Sequence, residues 1–165
     1  MSKINWFTVV RAITYAVLFV SIVLIYVPAN LLSWAGFTRP EAIGRYQVAG
    51  IIVGLLGSVI ALWCILTFAF IGRGTPAPFD PPRQLVVRGP YRYVRNPMYI
   101  GAGIALIGAG SFYQSPALLV YAGILFLAVH LFVVGYEEPT LQRTFGSEYE
   151  DYCRQVRRWW PKLHI

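Results

Sequence analysis

Charge is scarce in this chain. Only 13% of its 165 residues are Asp, Glu, Lys or Arg, against about 25% in an ordinary soluble domain. Acids are scarcer still, seven against fourteen Lys and Arg, leaving a formal net charge of +7. Cysteine is confined to Cys64 and Cys153, which excludes a disulfide scaffold; both are expected to be free thiols. Disorder is excluded by the 57% hydrophobic content. A basic balance indicates nucleic acid only when the cations form one face of a polar domain. Here they share the chain with long apolar runs, so no nucleic-acid partner is expected and the positive charge reports topology first.

Three blocks lack charge altogether. Ala12 to Val27, extended back to Phe7 with Arg11 snorkelling to the interface, gives a first span over 7–27. The second covers 46–71 and is long enough to cross with tilt. The third, Pro97 to Tyr136, is 40 residues, too long for one helix, and Phe112-Tyr113-Gln114-Ser115-Pro116 places a polar, proline-ended turn in its middle. It therefore reads as a helical hairpin, 97–112 and 116–136. The expected fold is all-α: a single domain over 1–165, an integral membrane bundle of four transmembrane helices, and a C-terminal amphipathic helix on the cytosolic side. Four spans put both termini on one face. Twelve of the fourteen cations fall on that face and two, Arg39 and Arg45, on the other, which predicts cytoplasmic termini.

Within the spans, Gly50 and Gly54 form a GxxxG pattern that serves either a dimer or, as expected here, helix packing inside one chain. His130 lies seven residues before Glu137 on the same helical face. It is expected to be a hydrogen-bonded packing residue, with contact to a buried substrate as the alternative. No charged residue sits near a span centre, which argues against a proton relay or ion pathway.

Residues 72–96 and 137–165 carry the chemistry. The first begins as a proline-rich connector, continues as an extended Leu85-Val86-Val87 and a Gly89-Pro90 turn, then presents Tyr91, Arg92, Tyr93, Arg95 and Asn96 before Pro97 opens a helix. Such a segment also suits a membrane-surface anchor for anionic lipid. However, it leads into Tyr99, Gly101 and Gly103, where small residues let another group approach the backbone. At the far end of the hairpin, Glu137 and Glu138 are followed by Pro139. That proline deprives the Gly135 carbonyl of its helix partner and predicts a kinked exit. These two acids are equally expected to pair with the loop arginines. Downstream, Leu141, Phe145, Tyr149, Tyr152 and Val156 form an apolar stripe of helical period. Ser147 and Glu150 have capping-box spacing, and the tail is expected to lie on the membrane with Trp159 and Trp160 as anchors.

Together, Gly89-Pro90-Tyr91-Arg92-Tyr93-Val94-Arg95-Asn96-Pro97-Met98-Tyr99-Ile100-Gly101 and Glu137-Glu138-Pro139-Thr140-Leu141, running on to Phe145-Gly146 and Tyr149-x-x-Tyr152, resemble the isoprenylcysteine carboxyl methyltransferase family and the related phospholipid methyltransferases. The resemblance covers roughly residues 85–160. The family pattern has histidine where this chain has Asn96, which hydrogen-bonds but neither carries charge nor acts as a base.

The resemblance implies a membrane-embedded enzyme that uses S-adenosyl-L-methionine and a lipophilic small-molecule or lipidated acceptor reached through membrane lipid. Carried across by residue, it implies Tyr91, Arg95, Asn96, Tyr99, Gly101, Gly103, Glu137 and Glu138 at the cofactor, with Glu137 and Arg143 as catalytic residues and no metal. The leading acceptor is an isoprenylcysteine-like carboxylate, with phospholipid amines or small thiols as alternatives. A non-catalytic membrane scaffold or lipid-binding subunit is the alternative of another class, and a membrane reductase is the remotest. The residues leave the oligomeric state open.

Overall fold

A computed structural model describes residues 10, 14, 17–37, 40–68 and 84–162. The expectations for Lys3, Arg11, Arg39, and the proline-rich connector with Arg73 and Arg83 lie outside these residues. Six helices are described: α1 (Val17–Trp34), α2 (Arg45–Thr67), α3 (Pro97–Tyr113), α4 (Pro116–Phe132), α5 (Glu138–Phe145) and α6 (Ser147–Gln155). Among the described residues there is no strand, only an isolated parallel bridge between Val94 and Arg157. Three helical stretches are long and apolar enough to cross a membrane, Val17–Trp34, Arg45–Thr67 and Pro116–Phe145, and α3 is a shorter apolar helix.

Prolines open α3 and α4, where a missing N–H costs nothing. The hairpin turn falls where the polar residues predicted it. Gln114 adopts the left-handed conformation (φ 50°) and the Ser115 N–H donates to the Gly110 carbonyl at 2.9 Å. Two helices run further than expected, for one reason. The first continues through Pro28 to Trp34, and the last span continues through Pro139 to Phe145. In each, a wide π turn precedes the proline, at Ser21–Tyr26 and Val133–Glu137. The residue just before the proline then donates five positions back, Val27 to Ile22 and Glu138 to Val133. Inserting that bond relieves the clash a proline ring makes with the carbonyl four back. The exit at Glu137-Glu138-Pro139 is thus a widened turn in a continuous helix.

The second and third helices meet backbone to backbone. A Cβ on Gly101 would lie 2.8 Å from both the Ala61 nitrogen and the Gly57 oxygen. One on Gly50 would lie 2.7 Å from the Gly108 oxygen, and one on Gly108 would strike the Gly54 backbone. Gly50 opposing Gly108 and Gly57 opposing Gly101 makes the pair antiparallel. The GxxxG pattern therefore serves packing within the chain. Outward faces remain apolar and exposed, including Leu55, Leu56 and Val59 on α2 and Val120, Ile124 and Leu131 on α4, as expected of surface meeting lipid tails. Tyr121 on α4 donates to the Val23 carbonyl of the first wide turn at 3.0 Å, tying α1 to the hairpin.

The C-terminal part departs from expectation. Tyr149, Tyr152 and Val156 are buried and pack with Leu85, Leu141, Phe145 and Cys153, so the apolar stripe covers protein rather than lying on the membrane. The capping box does not form. Glu150 instead accepts from the Gln142 side chain at 2.7 Å, and Gly146, at φ +53°, makes the corner that starts α6. Trp159 packs on Phe126 and His130, while Trp160 is left 76% exposed.

Candidate functional site

One end of the hairpin gathers the loop 84–96, the starts of α3 and α5, and the segment 156–160. The loop enters through a short 3-10 turn, Gly89–Arg92. Tyr91 is buried there beside Cys64 and Val86, edge-on to Phe68 with 5.4 Å between ring centroids. Burial, the largest effect, pushes its phenol well above the ordinary range. The Tyr91 carbonyl accepts from the Tyr152 hydroxyl at 2.7 Å, pinning the loop to α6. Burial likewise raises the phenols of Tyr149 and Tyr152.

Beyond α6, residues 157–159 form a strap with tethers to three elements. The Arg157 carbonyl accepts from the Arg95 backbone N–H at 2.9 Å, and the Arg158 carbonyl accepts from Asn96 Nδ2 at 3.4 Å. Trp159 Nε1 donates to His130 Nδ1 at 3.1 Å, which gives His130 the packing role expected of it. The Arg158 side chain donates to Glu138 twice, Nε to Oε1 and Nη2 to Oε2, both at 2.7 Å. This bond, the largest effect, raises the guanidinium further.

The two acids part company. Glu138 meets Arg158 and also Arg95, whose Nη2 is 3.2 Å from Oε1 with both side chains mostly buried. Arg95 Nη1 further contacts the Tyr149 hydroxyl and Cys153 Sγ, while its Nε is buried with no hydrogen-bond partner. Glu137, one residue earlier, accepts from the Tyr99 hydroxyl at 3.1 Å and pairs with no cation among the described residues. The wide turn Val133–Glu137 lies just before this divergence, a place where such turns recur at functional sites.

Of the residues singled out from sequence, Tyr91, Arg95, Asn96, Tyr99, Glu137 and Glu138 are drawn together. Asn96 is buried at the N-cap position of α3, where its side chain makes no capping bond. Gly101 faces α2 within the glycine seam, whereas a Cβ on Gly103 would meet nothing within 4 Å. Arg143 is exposed on α5. Arg158 was not foreseen, since nothing local in Arg157-Arg158-Trp159-Trp160 distinguishes a tethered arginine from an interfacial one. Among the described residues no group of three or more His, Cys, Asp or Glu side chains converges as a metal would require.

A family model of phospholipid methyltransferases matches residues 46–148, from the start of α2 into α6. The chain belongs to the phospholipid methyltransferase family. Curated relatives of this family member carry two kinds of name. It is 30% identical over 117 residues, 68% of its own length and 50% of the relative's, to the nickel-cobalt-cadmium resistance protein NccN of Alcaligenes xylosoxydans xylosoxydans. It is 27% identical over a similar stretch to the cobalt-zinc-cadmium resistance protein CzcN of Cupriavidus metallidurans. A probable protein-S-isoprenylcysteine O-methyltransferase of Oryza sativa subsp. indica is 27% identical over 116 residues, 59% of that relative. This family member thus spans between half and three fifths of the length of the relatives it matches.

Proposed function

We propose that this chain is an S-adenosyl-L-methionine-dependent methyltransferase acting on a lipophilic acceptor, with the site at the end of the hairpin. The observation that carries the reading is the Tyr99–Glu137 pair beside the Arg95–Glu138–Arg158 cluster, inside or adjoining the stretch matched to the family. The residues fit the cofactor's charged, polar character. Arg95 Nε is buried without an acceptor, Glu137 meets no cation among the described residues, and space is open at Gly103. Bound there, the cofactor supplies a methyl group activated on sulfonium.

The protein's own contribution is orientation and exclusion of water. Transfer from a sulfonium is an in-line displacement, so holding donor and acceptor in contact supplies most of the acceleration. The Glu137 carboxylate, oriented by Tyr99, complements positive charge in a region where apolar helices limit water. Arg143, exposed on α5, is assigned to the acceptor side. A carboxylate or thiolate acceptor requires no base; an amine must lose a proton, and Glu137 is then the base. Asn96 is assigned a structural share of the pocket, because its amide is already bound to the strap. An isoprenylcysteine-like carboxylate is the leading acceptor, and phospholipid amines or small thiols are the alternatives. The twelve-to-two division of cations favours a cytoplasmic site and cytoplasmic termini.

Incubation of the purified protein with labelled S-adenosyl-L-methionine and a panel of prenylcysteine, phospholipid and thiol acceptors tests the reading. Label should pass into at least one of these acceptors. Absence of both transfer and cofactor binding would return the chain to the scaffold class.

A further inference from the structure

Trp159 dictates the state of the His130 ring. An indole N–H only donates, so His130 Nδ1, 3.1 Å from Trp159 Nε1, must present a lone pair. A cationic imidazole has none to offer. The ring is therefore neutral, its single proton sits on Nε2, and Nε2 is a donor. Among the described residues nothing accepts from it. The buried side-chain atoms left without a partner there are Arg95 Nε and Ser115 Oγ. His130 itself is half-buried, so its donor opens outward from α4 rather than into the chain.

Depth and neighbours decide what it meets outside. Phe126 lies one turn before His130 on the same stripe of α4, the adjoining stripe carries Leu127 and Leu131, and all three are exposed. No charged residue belongs to α4. His130 lies seven residues before Glu137, about 10 Å further into the span. Trp159 on its ring, with Trp160 exposed beside it, suits the border between water and lipid. Hydrocarbon offers an N–H no acceptor, and leaving one unpaired there is costly. The lipid oxygens that lie next to acyl chains are ester carbonyls. A phosphate sits nearer the water and calls for cations, which α4 lacks.

We propose that His130 and the outward face of α4 hold one glycerophospholipid, with its ester carbonyl on Nε2 and its acyl chain along Leu127 and Leu131. The site is an open face of the span and needs no enclosed cavity. Trp159 is its positioning residue: by occupying Nδ1 it keeps the proton on Nε2. One ring thus tethers the strap and grips a lipid. The contact does not depend on methyl transfer, and a chain that transferred no methyl group would keep it.

Native mass spectrometry of the full chain in detergent tests this with three ligands. These are a diester phosphatidylcholine, the diether analogue with the same head group and chains, and oleate. Wild type should retain the diester over the diether by about threefold or more, the scale of one hydrogen bond within a membrane. His130→Asn keeps an acceptor near the Nδ1 position for Trp159 and loses the Nε2 donor, so the preference should vanish. His130→Gln places an amide N–H near the Nε2 position and should keep much of it. A wild-type protein indifferent to the ester overturns the assignment, as does a His130→Asn protein that keeps the preference. Stronger retention of oleate than of the diester, lost in His130→Asn, would overturn the ester in favour of a free carboxylate. Should His130→Asn fail to fold, the wild-type comparison decides alone.

Discussion

Arg158 grips Glu138 side-on, with both ends of the guanidinium fork 2.7 Å from the two carboxylate oxygens, across twenty residues of sequence. Among the described residues no other side-chain hydrogen bond joins the segment after α6 to α5. Glu138→Ala should therefore loosen the strap as well as uncover Arg95. We expect a loss on the order of 2 kcal/mol, seen as a lower thermal midpoint in detergent. Trypsin should also cut faster at Arg154 and Arg157. Unchanged proteolysis would show that the tethers at Asn96 and Trp159 hold the strap unaided.

The seam between α2 and α3 makes a sharper demand. Gly108→Ala places a methyl against the Gly54 backbone, which cannot give way as a side chain would. The expected loss is ~3 kcal/mol, read as failure to elute as a single species in detergent. Gly123→Ala, where a Cβ meets nothing within 4 Å, should be neutral or stabilising by up to about 1 kcal/mol. Equal behaviour of the two variants would contradict the close approach of these helices.

Tyr99→Phe removes one hydroxyl, the one that donates to Glu137. Its ring remains to pack, so the thermal midpoint should hold. Methyl transfer should fall about tenfold in kcat/KM, the scale of a hydrogen bond to a charged group. A fall in stability without a fall in rate would make Tyr99 a packing residue.

Alkaline pH probes the α6 cluster. Burial raises the Tyr149 and Tyr152 phenols above their ordinary 10.0, so the fold favours the neutral form. The stability this contributes is complete below pH 10 and is lost as pH rises through the higher folded values. Tyrosinate absorbance should therefore appear in two stages, exposed phenols first and these two only as the protein unfolds. Tyr152→Phe, which also frees the Tyr91 carbonyl, should cost ~1 kcal/mol. Ionisation of every tyrosine near the ordinary value in a folded sample would refute the burial.

What could be read in advance follows the range of the interactions. Apolar runs and turn residues act locally, so the hairpin ends at Pro97 and Pro116 appear where polar and proline residues put them. The stripe from Leu141 to Val156 gave the right face of α6 but the wrong partner, because periodicity says which side is apolar and not what covers it. Glu150 had two possible bonds, and Gln142 won it from the cap through a corner that only Gly146 permits. Gly101 sat in a motif that suggested ligand approach, yet the approaching group is the backbone of α2. Pairing of the acids with loop arginines was legible as a possibility, and Arg95 fulfils it. Arg158 was illegible, since its partner lies on another helix and nothing in its own neighbourhood marks it.

The wide turn at Val133–Glu137 acts as a phase shifter within one continuous helix. Upstream, side chains such as Ile124 and Leu131 face outward while Phe126 and His130 meet Trp159; downstream, after the inserted bond from Glu138 to Val133, Glu138 meets Arg95 and Arg158. The extra residue rotates everything beyond it relative to the span, and with it the direction of both carboxylates. Side-chain replacement within the turn would leave that rotation intact. Removing a single residue there would instead turn Glu138 away from Arg158 without altering any residue that touches either.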